Sequence, residues 1–190
     1  PEDRLTAMTS VNLAAIYRDS GRYQEANVLL EDARTIYEEN VGVENNETAT
    51  ILYHLGRLYS EIGHSKEAET LFERAQKINE NFFGSDHPRT ATVLYYLARV
   101  YSDTNRLPEA EALCTRVLNV YKGTFGSEHP STAMTLGQLA SVYCDMGKYK
   151  ESKDSFKLAW EVISVKLPQQ NPTRAKFLVY RGKLHALCGE

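Results

Sequence analysis

Only three of the 190 residues are cysteine, and Cys114, Cys144 and Cys188 form no close-spaced pair. An odd count with no Cys-x-x-Cys spacing fits buried or surface thiols in a reducing compartment better than a disulfide framework. No glycine-rich phosphate loop, nucleophile elbow or pair of catalytic carboxylates occurs, so an enzyme is not expected. His54, His64 and His185 lack ligand-spaced partners of the His-x-x-x-His kind, and His87 and His129 each precede a proline, as helix-entry residues do. Neither a metal site nor a cofactor is expected. No apolar run approaches the roughly 18 residues that cross a bilayer, and no signal-peptide-like start is present. The glycosylation triplet Asn46-Glu47-Thr48 then reads as coincidence, and a cytoplasmic location without a membrane partner is the expectation. Lys and Arg (22) are outnumbered by Asp and Glu (25) and are dispersed, which leaves no basic field for nucleic acid. The first residue is Pro1 rather than methionine, as expected for a segment of a longer protein.

What the chain does have is a period. Thr6-Ala7 returns as Thr48-Ala49, Thr90-Ala91 and Thr132-Ala133, each pair 42 residues after the last, with Ala175 next in line. Leu13, Leu55, Leu97 and Leu139 follow in register, then Tyr17, Tyr59, Tyr101 and Tyr143, then Glu25, Glu67, Glu109 and Glu151. Four copies align without a gap, the signature of a repeat array in which each unit buries its apolar face against its neighbours. The expectation is one domain, residues 1–190. Its repeats cover about 6–47, 48–89, 90–131 and 132–173, and a partial repeat or capping helix covers 174–190.

Within a unit the apolar residues recur at helical spacing. Ala7, Val11, Leu13, Ala14, Ile16 and Tyr17 predict helix A over about residues 6 to 19. Gly21, Gly63, Asn105, Gly147 and Gly189 follow the A helices and are residue types that tolerate the left-handed conformation, which predicts tight turns at 20–22, 62–64, 104–106 and 146–148. Helix B opens near Tyr23 with Glu25 and its counterparts in the first turn, facing the positive end of the dipole. Its buried stripe is expected to be Ala26, Leu29-Leu30, Ala33 and Ile36. Gly42, Gly84 and Gly126 mark its exit, and Asn46, Pro88, Pro130 or Pro172 opens the next helix A. A ninth helix is expected from about Arg174 to Leu187, with Phe177 and Leu184 left uncovered, and Trp160 on the last helix B is expected in the core.

These units resemble tetratricopeptide repeats. The family pattern of a large apolar residue, a small one and a tyrosine three further on is met by Leu13-Ala14-Tyr17, Leu55-Gly56-Tyr59, Leu97-Ala98-Tyr101 and Leu139-Ala140-Tyr143. The later small position holds Ala26, Ala68, Ala110 or Ser152, and the next holds Ala33, Ala75, Val117 or Ala159. The 42-residue unit, with Gly-Ser-Asp-His-Pro at 84–88 and Gly-Ser-Glu-His-Pro at 126–130, is similar to the kinesin light chain type. The resemblance implies an all-α fold, a right-handed solenoid of stacked antiparallel helix pairs, in which the A helices line a concave groove.

Positions that vary between copies are the candidates for that groove. Val11, Tyr53, Tyr95, Gly137 and Val179 form one row, and Ala15, Arg57, Arg99, Ser141 and Lys183 lie four residues later on the same helix face. Asn12, His54, Tyr96, Gln138 and Tyr180 form a third row, where kinesin light chains carry paired asparagines that hold a peptide backbone. This chain keeps only Asn12, with Gln138 as a longer amide. The expected peptide-binding set is Asn12, Tyr53, His54, Arg57, Tyr95, Tyr96, Arg99 and Gln138. Tyrosines beside arginines suit stacking on an apolar side chain while pairing with a carboxylate or phosphate. Against this, Glu61 and Asp103 follow the two arginines by four residues and offer ordinary intrahelical pairs, and Asp19, Glu61, Asp103 and Asp145 make an acidic row. An acidic peptide is the favoured partner, a basic or mixed-charge peptide the second, and a purely structural role the third. The function expected is a non-catalytic adaptor. A regulatory or sensor array of a larger signalling ATPase and a self-association module are the alternatives.

Overall fold

Four short turns divide the chain into helix pairs, and each is closed by the same backbone device. The amide of Arg22 donates to the Tyr17 carbonyl at 2.8 Å, and His64 to Tyr59, Arg106 to Tyr101 and Lys148 to Tyr143 do so at the same distance. The residue before each donor sits in the left-handed region: Gly21 (φ 75°), Gly63 (84°), Asn105 (61°) and Gly147 (75°). This is the Schellman closure, in which the left-handed residue lets the chain fold back onto orphan carbonyls at the helix end. In a computed structural model, residues 2–171, 173–175, 177–179 and 182 are described, the side chains of residues 2–4 excepted. The helices are α1 (Glu2–Asp19), α2 (Tyr23–Asn40), α3 (Asn46–Glu61), α4 (Ser65–Phe83), α5 (Pro88–Asp103), α6 (Leu107–Phe125), α7 (Pro130–Asp145) and α8 (Tyr149–Lys166). Residues 20–22, 62–64, 104–106 and 146–148 lie between the paired helices, where the sequence places them. Among the described residues there is no strand, and residues 173–175, 177–179 and 182 are helical. Leu184, Gly189 and the remainder of the expected ninth helix lie outside the described residues.

The chain divides into two compact units, Pro1–Val100 and Tyr101–Glu190, with the boundary inside α5. In the first unit α1 packs on α2, α2 on α3 and α3 on α4. Ala7, Val11 and Ala14 of α1 meet Ala26, Leu30, Ala33 and Tyr37 of α2 and Ile51, Leu55 and Leu58 of α3 in one cluster. The buried stripe of α2 thus ends at Tyr37, and Leu29 and Ile36 are only partly buried, a shift of one position from the expected stripe. Leu13 and Ile16 of α1 are 38% and 61% exposed while their counterparts Leu55 and Leu58 are fully buried, because α2 covers that face of α3 and no described helix covers it on α1. In the second unit α6 packs on α7 and α7 on α8, with Cys114 and Cys144 buried as free thiols. Burial pushes the Cys114 thiol up to about 12.

The repeated threonine of each Thr-Ala pair has a structural task. Thr90 Oγ1 donates to the Gly84 carbonyl and Thr132 Oγ1 to the Gly126 carbonyl, both at 2.9 Å, and both threonines are fully buried. The hydroxyl ties the glycine exit of helix B to the entry of the next helix A. His87 and His129 complete those entries. Nδ1 of His87 accepts from the Arg89 amide and Nδ1 of His129 from the Ser131 amide, both at 3.1 Å, while the rings stack on Phe83 and Phe125. They are helix-capping histidines, as their place before proline predicts.

Two apolar expectations near the end of the chain are corrected. Phe177 is not uncovered: it is 9% exposed, its ring lies 5.7 Å from that of Phe156, and its Cζ would stand 2.2 Å from a Cβ placed on Gly137. Trp160 is half-buried rather than core, stacked at 6.4 Å on Phe156 with the Arg174 guanidinium 5.7 Å from its ring.

Candidate functional site

The helix A face of the first unit gathers an aromatic and cationic cluster from α3 and α5. Tyr53 and Tyr96 meet edge to face with centroids 5.3 Å apart, and Tyr95 meets Tyr96 in the same manner at 5.2 Å. The Tyr96 ring stacks at 6.1 Å over Phe72, a fully buried residue of α4. This placement depends on Gly56. A Cβ there would stand 2.7 Å from Phe72 Cε1, so the missing side chain makes room for the ring that supports Tyr96.

Two guanidinium groups surround the same tyrosine. The Arg57 carbon lies 4.8 Å from the Tyr96 centroid and 5.6 Å from that of Tyr53, and the Arg99 carbon lies 5.5 Å from Tyr96. Arg57 Nη1 donates to the Tyr53 hydroxyl at 3.3 Å, while its buried Nε has no hydrogen-bond partner among the described residues. Burial opposes the charge of Arg57, but the Tyr53 and Tyr96 hydroxyls and Glu61 outweigh it and raise its pKa. Burial, reinforced by Tyr96, raises the pKa of the Tyr53 hydroxyl. The intrahelical pair expected between Arg57 and Glu61 does not form. Glu61 Oε1 instead lies 3.5 Å from Nε of Arg18, a 3% exposed residue of α1 whose Nη2 also holds Asp19 at 2.8 Å. The first two members of the acidic row are therefore occupied with Arg18, and Arg57 and Arg99 keep no carboxylate within ion-pair distance among the described residues.

His54 stands beside this cluster, edge-on to Tyr53 at 5.0 Å. Burial, then the charges of Arg18 and Arg57, lower its pKa to about 4, and its buried Nδ1 has no partner among the described residues. The ring is therefore neutral near pH 7. From Tyr53 and His54 a cavity of about 510 Å³ runs toward the entries of α3 and α5, past Thr50, Glu47, Thr92 and Arg89. Sequence reasoning missed this stretch. The repeat position of the two threonines holds Met8, Thr50, Thr92 and Met134, so the variation between copies that marks the other rows was available here as well.

The eight expected site residues are placed as follows. Tyr53, His54, Arg57, Tyr95, Tyr96 and Arg99 come together in the first unit, all half-buried. Asn12 is exposed on α1, and Gln138 is half-buried on α7 in the second unit. Of the rows proposed beside them, Val11 is buried in the core, and the space at Gly137 belongs to Phe177. Tyr180 and Lys183 lie outside the described residues. The recurring tyrosines carry a feature that went unread: Arg22 covers Tyr17 and Arg106 covers Tyr101, each at 3.9 Å, Lys148 lies 5.4 Å from Tyr143, and the His64 ring packs on Tyr59. The spacing of five, from the tyrosine to the residue before helix B, was the available signal. Among the described residues no group of three His, Cys, Asp or Glu side chains could hold a metal, and no helix is long and apolar enough to cross a membrane.

Helix pairs closed by a left-handed residue, with a small residue where the helices cross, define a helical repeat protein. The tetratricopeptide repeat family matches residues 5–81, 66–113 and 103–162, and the chain belongs to that family. Among solved structures it is similar to nearly identical TPR-like repeats of a Podosopora anserina protein assigned as a kinesin light chain. That match has 26% identity and a TM-score of 0.76, and covers 96% of this chain and 86% of the other. A point variant of the same repeats matches with a TM-score of 0.77 at the same identity and coverage. BtubC (BKLC) from P. vanneervenii shares the fold at 16% identity, with a TM-score of 0.77 over 99% of this chain and 84% of that one. No curated protein matches the chain. The repeats are thus of the kinesin light chain-like type, and folds of this kind are generally non-catalytic and bind protein partners.

Proposed function

We propose that this chain is a non-catalytic adaptor whose first unit binds a peptide segment of a partner protein, with Tyr53, Tyr95 and Tyr96 as aromatic anchors and Arg57 and Arg99 facing acidic groups. In this reading residues 1–190 act as one repeat domain, Asn12 and His54 supply polar contacts to the peptide, and Gln138 is a candidate polar contact of the second unit by itself. The observation that carries the reading is the pair of guanidinium groups on Tyr96 without a carboxylate, on a family fold that serves protein interaction. Aromatic and arginine side chains dominate such interfaces, so truncating one tyrosine should cost about 1 to 3 kcal/mol of binding.

The test is capture of partners from lysate by wild type beside an Arg57→Ala/Arg99→Ala variant, followed by titration of the identified partner. A Tyr95→Ala/Arg99→Glu variant that remains folded should bind an acidic partner at least about tenfold more weakly, and more so at low salt. Equal affinities for wild type and variant would move the site elsewhere on the molecule. Light scattering on the isolated chain distinguishes a self-association module, which would give a concentration-dependent mass without any partner.

A further inference from the structure

The arginine pair carries more positive charge than one carboxylate can match. Arg18 is already bonded to Asp19 and lies beside Glu61, so those two acids are engaged on α1 and α3. Arg57 spends one N–H on the Tyr53 hydroxyl and keeps a buried Nε without an acceptor, while Arg99 has the Tyr96 ring. A carboxylate brings one negative charge and two oxygens. A phosphate monoester brings about 1.5 to 2 charges at pH 7 and three strong acceptor oxygens, the better complement to two guanidinium forks with several donors unused.

We infer that Arg57 and Arg99 receive the phosphoryl group of a phosphorylated side chain on the partner peptide, bridged between α3 and α5 beside Tyr96. This rests on the groove reading above and specifies its ligand: binding is switched on by phosphorylation rather than being constitutive toward acidic peptides. The ring faces and the Tyr53 hydroxyl hold the Arg57 fork in place before the ligand arrives, which lowers the ordering cost of binding. His54, edge-on to Tyr53, stays neutral above about pH 5 because its pKa lies at about 4. Of the other charged groups nearby, Arg18 and Asp19 act electrostatically on His54, and Glu61 acts on Arg57.

The experiment is an NMR titration of the labelled full chain, following the Nε–Hε signals of Arg57 and Arg99. The probes are N-acetyl-O-phosphoserine amide and N-acetylglutamate amide at equal ionic strength. The phosphorylated probe should bind roughly fivefold more tightly at about pH 7.5, and this advantage should shrink by about pH 5 as the phosphate, whose second pKa is near 6, loses a charge. Arg99→Ala should abolish the preference, and Arg57→Lys, which keeps the charge and removes the fork, should reduce it. Equal, pH-independent shifts with both probes would overturn the phosphate assignment and leave an acidic-peptide groove standing. Shifts with neither probe would overturn both the assignment and the acidic character of the groove.

Discussion

Gly56 and His54 show how single residues on α3 set the cluster. At Gly56 any side chain collides with the ring of fully buried Phe72, which has nowhere to withdraw. Gly56→Leu should therefore destabilise the protein by about 3 kcal/mol or more, measured as a shift in the denaturant midpoint of the first unit. Gly56→Ala should cost less, because the gain in helix propensity of about 1 kcal/mol offsets part of the overpacking. His54 makes a pH prediction. Its folded pKa of about 4 lies below the usual 6.5, so the unfolded chain binds more protons between those values and stability rises with pH across that window. As pH falls from about 6.5 to 4 the protein should lose up to about 3 kcal/mol from this group, and His54→Gln should flatten that part of the profile. An unchanged pH dependence of the denaturation midpoint in His54→Gln would remove the buried neutral histidine from the account.

Among the elements, the turns are the most exacting. Asn105 is the one described non-glycine residue with positive φ, standing where other units have Gly21, Gly63 and Gly147. Asn105→Ala should destabilise by about 1 kcal/mol and Asn105→Gly should be neutral or slightly stabilising, as thermal denaturation would show. Such turns were legible in the sequence because only a few residue types accept left-handed backbone, and the period repeated the signal four times. The helix entries were legible for the same kind of reason, through proline and its preceding histidine. The threonine hydroxyls that tie the loops to Gly84 and Gly126 were visible as a repeat but not as a bond, since nothing in the spelling of Thr-Ala names an acceptor six residues back. The groove rows were half legible. A shared register says that Val11, Tyr53 and Gly137 are equivalent, but exposure depends on what each neighbour occupies. Val11 fits the α1–α2 core, whereas at Gly137 the absent side chain admits Phe177. The convergence of Arg57 on Tyr96 joins residues 39 positions apart on different helices, and no spacing rule within one helix could supply it.

For the whole molecule, α1 presents Leu5, Leu13 and Ile16 at 75%, 38% and 61% exposure, and the later counterparts of Leu13 and Ile16 are buried. Replacing all three with serine should lower binding of an apolar dye while changing the unfolding free energy by no more than about 1.5 kcal/mol in total, because exposed positions contribute roughly 0.5 kcal/mol or less each. A large loss of stability would show that this face is packed in solution. The two compact units also differ in their aromatic residues. The chain has one tryptophan, Trp160, which belongs to the second unit and is stacked on Phe156, while the first unit holds the interlocked Tyr53, Tyr95 and Tyr96. The protein is in effect labelled by nature at two separate addresses. Indole emission follows the melting of residues 101–190, and the part of the near-ultraviolet tyrosine dichroism that a Tyr53→Phe/Tyr96→Phe variant loses follows residues 1–100. Whether the two signals vanish together or in sequence measures the cooperativity of the array without an added dye or tag.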